Sequence, residues 1–351
     1  RKLLIMQRIL TSTLALMLAV ACAAPAYAGN PDRSGSAGAG QLLIMPWALS
    51  SGVAGANTAL VTGVEASFSN VAGLAFVNRT ELAVCNQQYL VGTDIQLNSF
   101  GFVQAVGGGH FGVTVTSMTF GDIEITTEDL PEGGIGSYRP TFSNIGISYA
   151  KAFSNSIYGG LTVRMISESI SNVRANGVSF DAGIRYLAGD DGRLKFGISL
   201  RNVGAPMRYG GDGLTLTATP QGAPSGLTIM QRSERFELPS LVNIGFGYEM
   251  MRRESMTLSG MGQFTSNSFT RDQVAGGLEL SLKDRFMIRA GYLHEDGLGA
   301  EETAQTAMTG PSAGFSVKLP TSGEGYIGLH YGYRTTNPFD GIHSIGLNIS
   351  M

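Results

Sequence analysis

From about Glu81 to Met351 the chain repeats one pattern, segments of roughly ten residues in which every second side chain is apolar. Leu194, Phe196, Ile198 and Leu200 alternate with Lys195, Gly197, Ser199 and Arg201. Val178, Phe180, Ala182, Ile184 and Tyr186 alternate with Ser179, Asp181, Gly183 and Arg185. The same holds for Val242, Ile244, Phe246, Tyr248 and Met250, and for Phe286, Ile288, Ala290 and Tyr292. Successive side chains of a strand point to opposite faces, so each segment is a strand with one apolar side.

A soluble sandwich gives the same alternation, and the connections separate the two. Strands are expected near 80–90, 93–106, 109–119, 139–151, 156–170, 175–187, 193–203, 235–251, 254–267, 273–283, 285–295, 308–319, 324–334 and 341–351. Short turns at 107–109, 154–155, 189–193, 252–253, 284 and 320–323 alternate with longer links near 120–138, 171–174, 204–234, 268–272, 296–307 and 335–340. Tight turns on one rim and long loops on the other describe an outer-membrane barrel. The first hairpin, at Val91–Gly92, is expected to be short and departs from the rule. The expectation is an all-β fold, a 14-stranded antiparallel transmembrane β-barrel over residues 79–351. Its even strand number places both termini on the short-turn side.

Composition agrees. Only 15% of residues are charged and 49 are glycine, with mean hydropathy +0.10. A soluble domain carries nearer a quarter charged residues. Past the N-terminus no apolar run reaches the roughly twenty residues of a membrane helix. The net charge of -3 gives no basic footprint for nucleic acid.

The N-terminus reads as an export signal. Met6 and Arg8 precede an apolar stretch from Ile9 to Cys22, followed by Ala26-Tyr27-Ala28. That is the pattern of a secretory signal peptide, residues 1–28, cleaved after Ala28. The competing lipoprotein reading uses Cys22, but Ala19 stands where a lipobox has a larger aliphatic residue. Cleavage leaves Cys85 unpaired, in a strand-like segment without a basic neighbour, and it reads as a small buried hydrophobe. Residues 29–40 read as a flexible leader. Residues 41–78, apolar and rich in Gly and Ala, read as a plug or hatch inside the barrel, with a periplasmic linker as the alternative.

The last eight residues carry the most specific local signal. Ile345, Leu347, Ile349 and Met351 face one way, and Ser344, Gly346, Asn348 and Ser350 the other. This resembles the terminal strand of bacterial outer-membrane barrels, with Gly346, Ile349 and Met351 in the assembly signal. Met351 stands where an aromatic is usual.

Gln41-Leu42-Leu43-Ile44, Gly55-Ala56-Asn57-Thr58-Ala59, Thr62-Gly63-Val64-Glu65-Ala66 and Asn70-Val71-Ala72-Gly73-Leu74 resemble the start of the PorV/PorQ family. Those are FadL-like fourteen-stranded barrels of the type IX secretion system. The resemblance covers about a tenth of the chain, with Val71 in place of the family's proline, Leu49 in place of an arginine and Ala54-Gly55 in place of Gly-Gly. It marks Gly63, Glu65, Asn70 and Gly73 as the plug and turn motif. Asn70 and Gly73 also suit a tight turn, since both tolerate left-handed backbone angles. The resemblance implies an outer-membrane carrier that binds the C-terminal domains of exported cargo. It would take them from a large translocon barrel to a surface attachment complex with a sortase, making and breaking no bond. The alternative is a FadL-type transporter of hydrophobic small molecules; a polar diffusion pore is a third reading. A wall gap lined by apolar inward side chains favours transport, and an open lumen under apolar external loops favours cargo binding.

No catalytic residue, metal site or cofactor is expected. His110, His294, His330 and His343 show no metal-ligand spacing. Arg164, Arg185, Arg201, Arg289, Glu249 and Glu279 are assigned to a polar lumen lining. In the long external link, Leu214, Leu216, Leu227, Ile229 and Met230 either pack onto the rim or form a partner surface. The expected partners are outer-membrane lipid, the translocon and the cargo domains. In cells the protein should fractionate with the outer membrane and migrate differently on gels before and after boiling. Recovery as a soluble periplasmic protein without detergent would overturn the barrel.

Overall fold

The computed structural model describes residue 29 and residues 31–189, 191–219, 221, 225–299, 304–321 and 325–351. The expected signal peptide lies outside the described residues. Fourteen strands close into a barrel: β1 Thr80–Gln88, β2 Gln96–Val106, β3 Gly109–Thr119, β4 Thr141–Ala152, β5 Ile157–Ile170, β6 Val173–Ala188 and β7 Leu194–Gly204. The second half comprises β8 Leu241–Arg253, β9 Met256–Asn267, β10 Gln273–Leu282, β11 Phe286–Glu295, β12 Met308–Pro320, β13 Tyr326–Thr336 and β14 Ile342–Ser350. Each pairs antiparallel with its chain neighbours. β1 closes on β14, with Leu82 opposite Ile349 and Val84 opposite Leu347.

Burial is inverted relative to a soluble protein. Phe180, Ile184, Phe196, Ile198, Ile244 and Phe246 face outward and are exposed, while Ser179, Asp181, Arg185 and Asn243 are buried inside. Outside a closed barrel the medium is lipid, so the exposed apolar faces sit where they are best solvated.

Three connections differ from the sequence expectation. The strands flanking Val91–Gly92 end at Gln88 and resume at Gln96, so the first link is a loop held by Tyr89 N–H to Ile95 O and Thr93 Oγ1 to Tyr89 O. The link expected at 171–174 is only Ser171 and Asn172, because β5 and β6 continue pairing up to Ile170 opposite Val173. Their tip is held by the neighbouring loop, through Arg174 and Gly210. The strand expected from 235 starts at Leu241, because Arg235–Phe236 pair with Met207–Arg208 instead.

That fold-back brings Met207 and Leu238 down to bury against Ala39, Leu42, Ile166 and Ala175 at the barrel mouth. The segment read as a flexible leader makes defined contacts in the same region. Gly38 N–H donates to Glu237 O, and Arg33 pairs with Glu237 and lies over the Phe269 ring.

The register of the wall shifts between Phe180 and Ala182, where β6 meets β7, between Glu249 and Met251, where β8 meets β9, and near the external rim of β12. β11 and β12 pair only from Phe286–Val317 to Tyr292–Pro311, and the register of β12 against β13 shifts between Met308 and Ser312. Pro311 has no N–H to give to either neighbour, and Gly310 sits at φ 108.

Removing residues 344–351 should leave β1 and β13 with open edges in lipid, each orphaned backbone group costing several kcal/mol. The truncated chain is expected to be lost from the outer-membrane fraction, with no heat-modifiable band. Normal insertion would show that closure does not need this strand.

Candidate functional site

Residues 40–77 fold inside the lumen as short helices and turns, including α1 Ala48–Gly52 and α2 Ala66–Ser69. So brief a helix has orphan N-terminal donors that need a partner when buried. Glu65 supplies it. Its carboxylate accepts from Leu49 N–H (3.2 Å), Ser50 N–H (3.0 Å) and Ser50 Oγ (2.8 Å). Asn57 Nδ2 in turn donates to Ser50 Oγ at 2.9 Å.

The other motif residues are set by contacts of their own. Gly63 has φ +73 and lies against the Glu81 carboxylate, which accepts Val64 N–H at 3.1 Å. Asn70 is extended, at φ -155, so left-handed tolerance is not its role. Its amide joins three segments, donating to Thr58 O (2.9 Å) and Ile184 O (3.1 Å) and accepting from Ala72 N–H (3.2 Å). Gly73 does not rely on left-handed backbone either: a side chain there would collide with Val61 O and Ala66.

Three arginines of the adjacent strands β5, β6 and β7 clamp this segment. Arg164 reaches Ser67 O, Arg185 reaches Val61 O and Arg201 reaches Leu42 O. Arg201 stacks 3.8 Å from the Phe68 ring centroid, and Arg185 lies 4.8 Å from that of Phe76. Asp181 pairs with Arg164 at 2.8 Å. A buried cation is tolerated only when carbonyls, rings and a counter-charge replace its water, and here each contributes. Across the lumen α1 lies directly on the wall, with Gly52 against Gly314 and Ala48 O against Gly332, so that backbone meets backbone.

Of the remaining lumen residues, Arg289 pairs with Glu279 at 2.5 Å and Lys195 with Glu249 at 2.6 Å. His330 bridges Ser316 Oγ and Asn348 Oδ1, both at 2.8 Å. Cys85 is buried and free, in the cluster around Trp47 and Val64. Among the described residues no group of three His, Cys, Asp or Glu side chains converges to hold a metal.

Among the described residues, chambers remain around the plug. A rim chamber of 370 Å³ lies among the external ends of the strands, lined by Leu43, Ile44, Met45, Leu293, Met308 and Ile342 with Gln87, Gln273, Glu295 and Arg334. A second, of 110 Å³, shares Leu43, Met45, Leu293 and Arg334 with it and continues down to Phe68, Arg201, Asn243 and Gln263. A third, of 150 Å³, lies toward the short-turn side among Val53, Leu60, Met261, Glu65, Glu279, Arg289 and Lys318. Ser316 and His330 line none of them, so that Ser–His–Asn array has no room for a substrate.

The loop residues singled out in sequence fall in a hairpin of Thr215–Ala218 with Leu227–Met230. Leu216, Leu227, Ile229 and Met230 are exposed there, and Leu214 is half-buried. Sequence reasoning missed Met207 and Leu238, whose inward turn follows from the fold-back rather than from any local pattern.

No family model matches the chain, and neither does any curated protein. Solved structures do. The toluene transporter TodX of Pseudomonas putida is 13% identical, covering 86% of this chain and 96% of that one, with a TM-score of 0.54. The CymD monoaromatic hydrocarbon channel is 14% identical over 88% and 97%, at 0.52. The toluene transporter TbuX of Ralstonia pickettii is 12% identical over 88% and 98%, at 0.51. At such identities the likeness is one of fold. The chain is a closed 14-stranded antiparallel barrel that shares the fold of these channels and transporters.

Burial lifts the Glu65 carboxyl from its ordinary 4.5 to about 7, against the Ser50 and Leu49 hydrogen bonds that pull it down. A carboxyl raised in the folded state favours that state when protonated. Its contribution, on the order of 3 kcal/mol, is full below pH 4.5 and lost as pH rises through about 7. Glu65→Gln should flatten the pH dependence of thermal unfolding across that window, measured on detergent-solubilised protein. An unchanged slope would place the titration elsewhere.

Proposed function

We propose that the protein is an outer-membrane channel for small hydrophobic molecules. The observation that carries this reading is the rim chamber. It places Leu43, Ile44, Met45, Leu293, Met308 and Ile342 around 370 Å³, facing a polar half of Gln87, Gln273, Glu295, Gln305, Thr306 and Arg334, and continues into a second chamber beneath. Ligand sites are concave and about 300–1,000 Å³, with apolar walls and polar groups that orient the guest, and this chamber offers both within that range of size. An apolar cavity of about 150 Å³ already accepts benzene, so the rim chamber has room for a monoaromatic. The shared fold with monoaromatic hydrocarbon channels supports the same reading. A polar diffusion pore fits poorly, since residues 40–77 occupy the lumen.

A second reading is favoured by one feature, the external hairpin that exposes Leu216, Leu227, Ile229 and Met230, the last at 63%. Such a surface suits a protein partner, as in a type IX-like carrier that takes cargo C-terminal domains from a translocon to an attachment complex with a sortase. The plugged lumen lends that reading nothing further.

One deletion strain separates the two. Loss of the barrel should lower uptake of labelled toluene, used as the probe, and leave secretion of exported proteins intact. Replacing Leu216, Leu227, Ile229 and Met230 with serine should leave uptake unchanged. Intact uptake with failed secretion would replace the channel by the carrier.

A further inference from the structure

The chain reaches the lumen by way of the external mouth. Gly38 N–H donates to Glu237 O at 3.0 Å, and Arg33 pairs with the Glu237 carboxylate at 2.6 Å. The same guanidinium lies 4.3 Å from the ring centroid of Phe269, which is buried in the link 268–272 between β9 and β10. Gly29 meets that link too, and its N–H donates to Asp272 Oδ2 at 2.7 Å.

The link is braced around this contact. Asp272 Oδ1 accepts Asn267 N–H at 3.2 Å, and Asn267 Nδ2 donates to Arg271 O at 2.8 Å. Ser268 N–H donates to Ser240 O at 3.1 Å, which ties the link to the residue before β8. The carboxylate is therefore oriented by its own loop. The cradle also closes around a glycine, because a Cβ at residue 29 would stand 2.8 Å from both Asp272 Oδ1 and Thr270 O. That is well inside van der Waals contact.

Two independent observations meet at this residue. The sequence places an A-x-A signal, Ala26-Tyr27-Ala28, immediately before it. The structure seats the backbone nitrogen of the same residue on a carboxylate. A peptide N–H is one neutral donor, whereas an α-ammonium carries a full charge and three donors. Charge-assisted hydrogen bonds are roughly twice as strong as neutral ones.

We propose that Asp272 is the receptor for the mature N-terminus. Hydrolysis of the Ala28–Gly29 bond by a signal peptidase adds one water across it, leaving a carboxylate on Ala28 and an ammonium on Gly29. The ammonium pairs with Asp272. The leader then becomes a strap across the mouth, fastened to the β9–β10 link at Gly29 and to Glu237 at Gly38. The precursor has only a neutral amide to offer Asp272, so the ion pair belongs to the processed chain alone. The inference is independent of what the barrel carries.

The test uses the full mature barrel purified from outer membrane, as wild type, as Asp272→Asn, and with one alanine inserted between Ala28 and Gly29. The asparagine keeps the shape and removes the charge. The insertion keeps Asp272 and moves the ammonium one residue away, while the large Tyr27 disfavours cleavage one bond later. Intact mass gives the first residue, and heat-modifiable migration the fold. Acylation with a limiting N-hydroxysuccinimide ester at neutral pH reads the α-amine ahead of lysine, their pKa values being about 8 and about 10.4. The wild-type chain should begin at Gly29. Its amine should react at least about tenfold more slowly than that of either folded variant, since a paired amine holds its proton. A different first residue would overturn the proposal. So would equal reactivity in wild type and Asp272→Asn, or protection that persists in the insertion variant, which would mean that the amine is shielded without Asp272.

Discussion

A bilayer offers no water to a backbone N–H or C=O, and this one constraint orders the whole molecule. Each unsatisfied group in hydrocarbon costs several kcal/mol, so a sheet in lipid has to close. Closure is what makes β14 indispensable to β1, and what turns an even alternation of side chains into a polar inside and an apolar outside. The local relaxation at Gly310-Pro311 sits at the rim, where polar loops and water can complete the hydrogen bonding.

Closure also creates a problem of its own, an interior lined with groups that a plug must satisfy. Two devices meet it on opposite sides. Against β5–β7, arginines reach the plug's carbonyl oxygens and lie on its phenyl rings, with Asp181 as counter-charge. Against β12–β14, glycines let α1 approach backbone to backbone. The first device is polar and specific, the second steric. On the β8–β11 side glycines again meet the plug, Gly291 against the Val53 backbone and Gly245 against Thr58 and Ala59, and the inner chambers lie beside those contacts. The fold alone does not decide function on this scaffold, since one fold hosts many activities.

Much of the architecture was legible in the alternation alone. Strand number and most strand positions follow from a period of two and from the lengths of the links. The errors have a common cause. At Arg235–Phe236 a strand-like segment pairs with Met207–Arg208 outside the barrel, and at Ser171–Asn172 two strands keep pairing up to a two-residue turn. Pairing partners are not encoded in local periodicity. Asn70 and Gly73 show the same limit at the site. The residue types pointed to a turn, but their roles are a three-way hydrogen bond that reaches Thr58 and Ile184 and a collision avoided with Val61 and Ala66, neither of which local residue type encodes.

The sequence by itself determined that this chain is a fourteen-stranded barrel with an apolar outer face, because strand alternation and backbone satisfaction are local and cumulative. It also showed that Arg164, Arg185 and Arg201 face the lumen, since they share the polar side of their strands. Only the tertiary structure decided what those arginines hold and where the lumen is left hollow. Those properties depend on which plug residue meets which strand across the barrel, and nothing in the spacing of residues along the chain carries that distance.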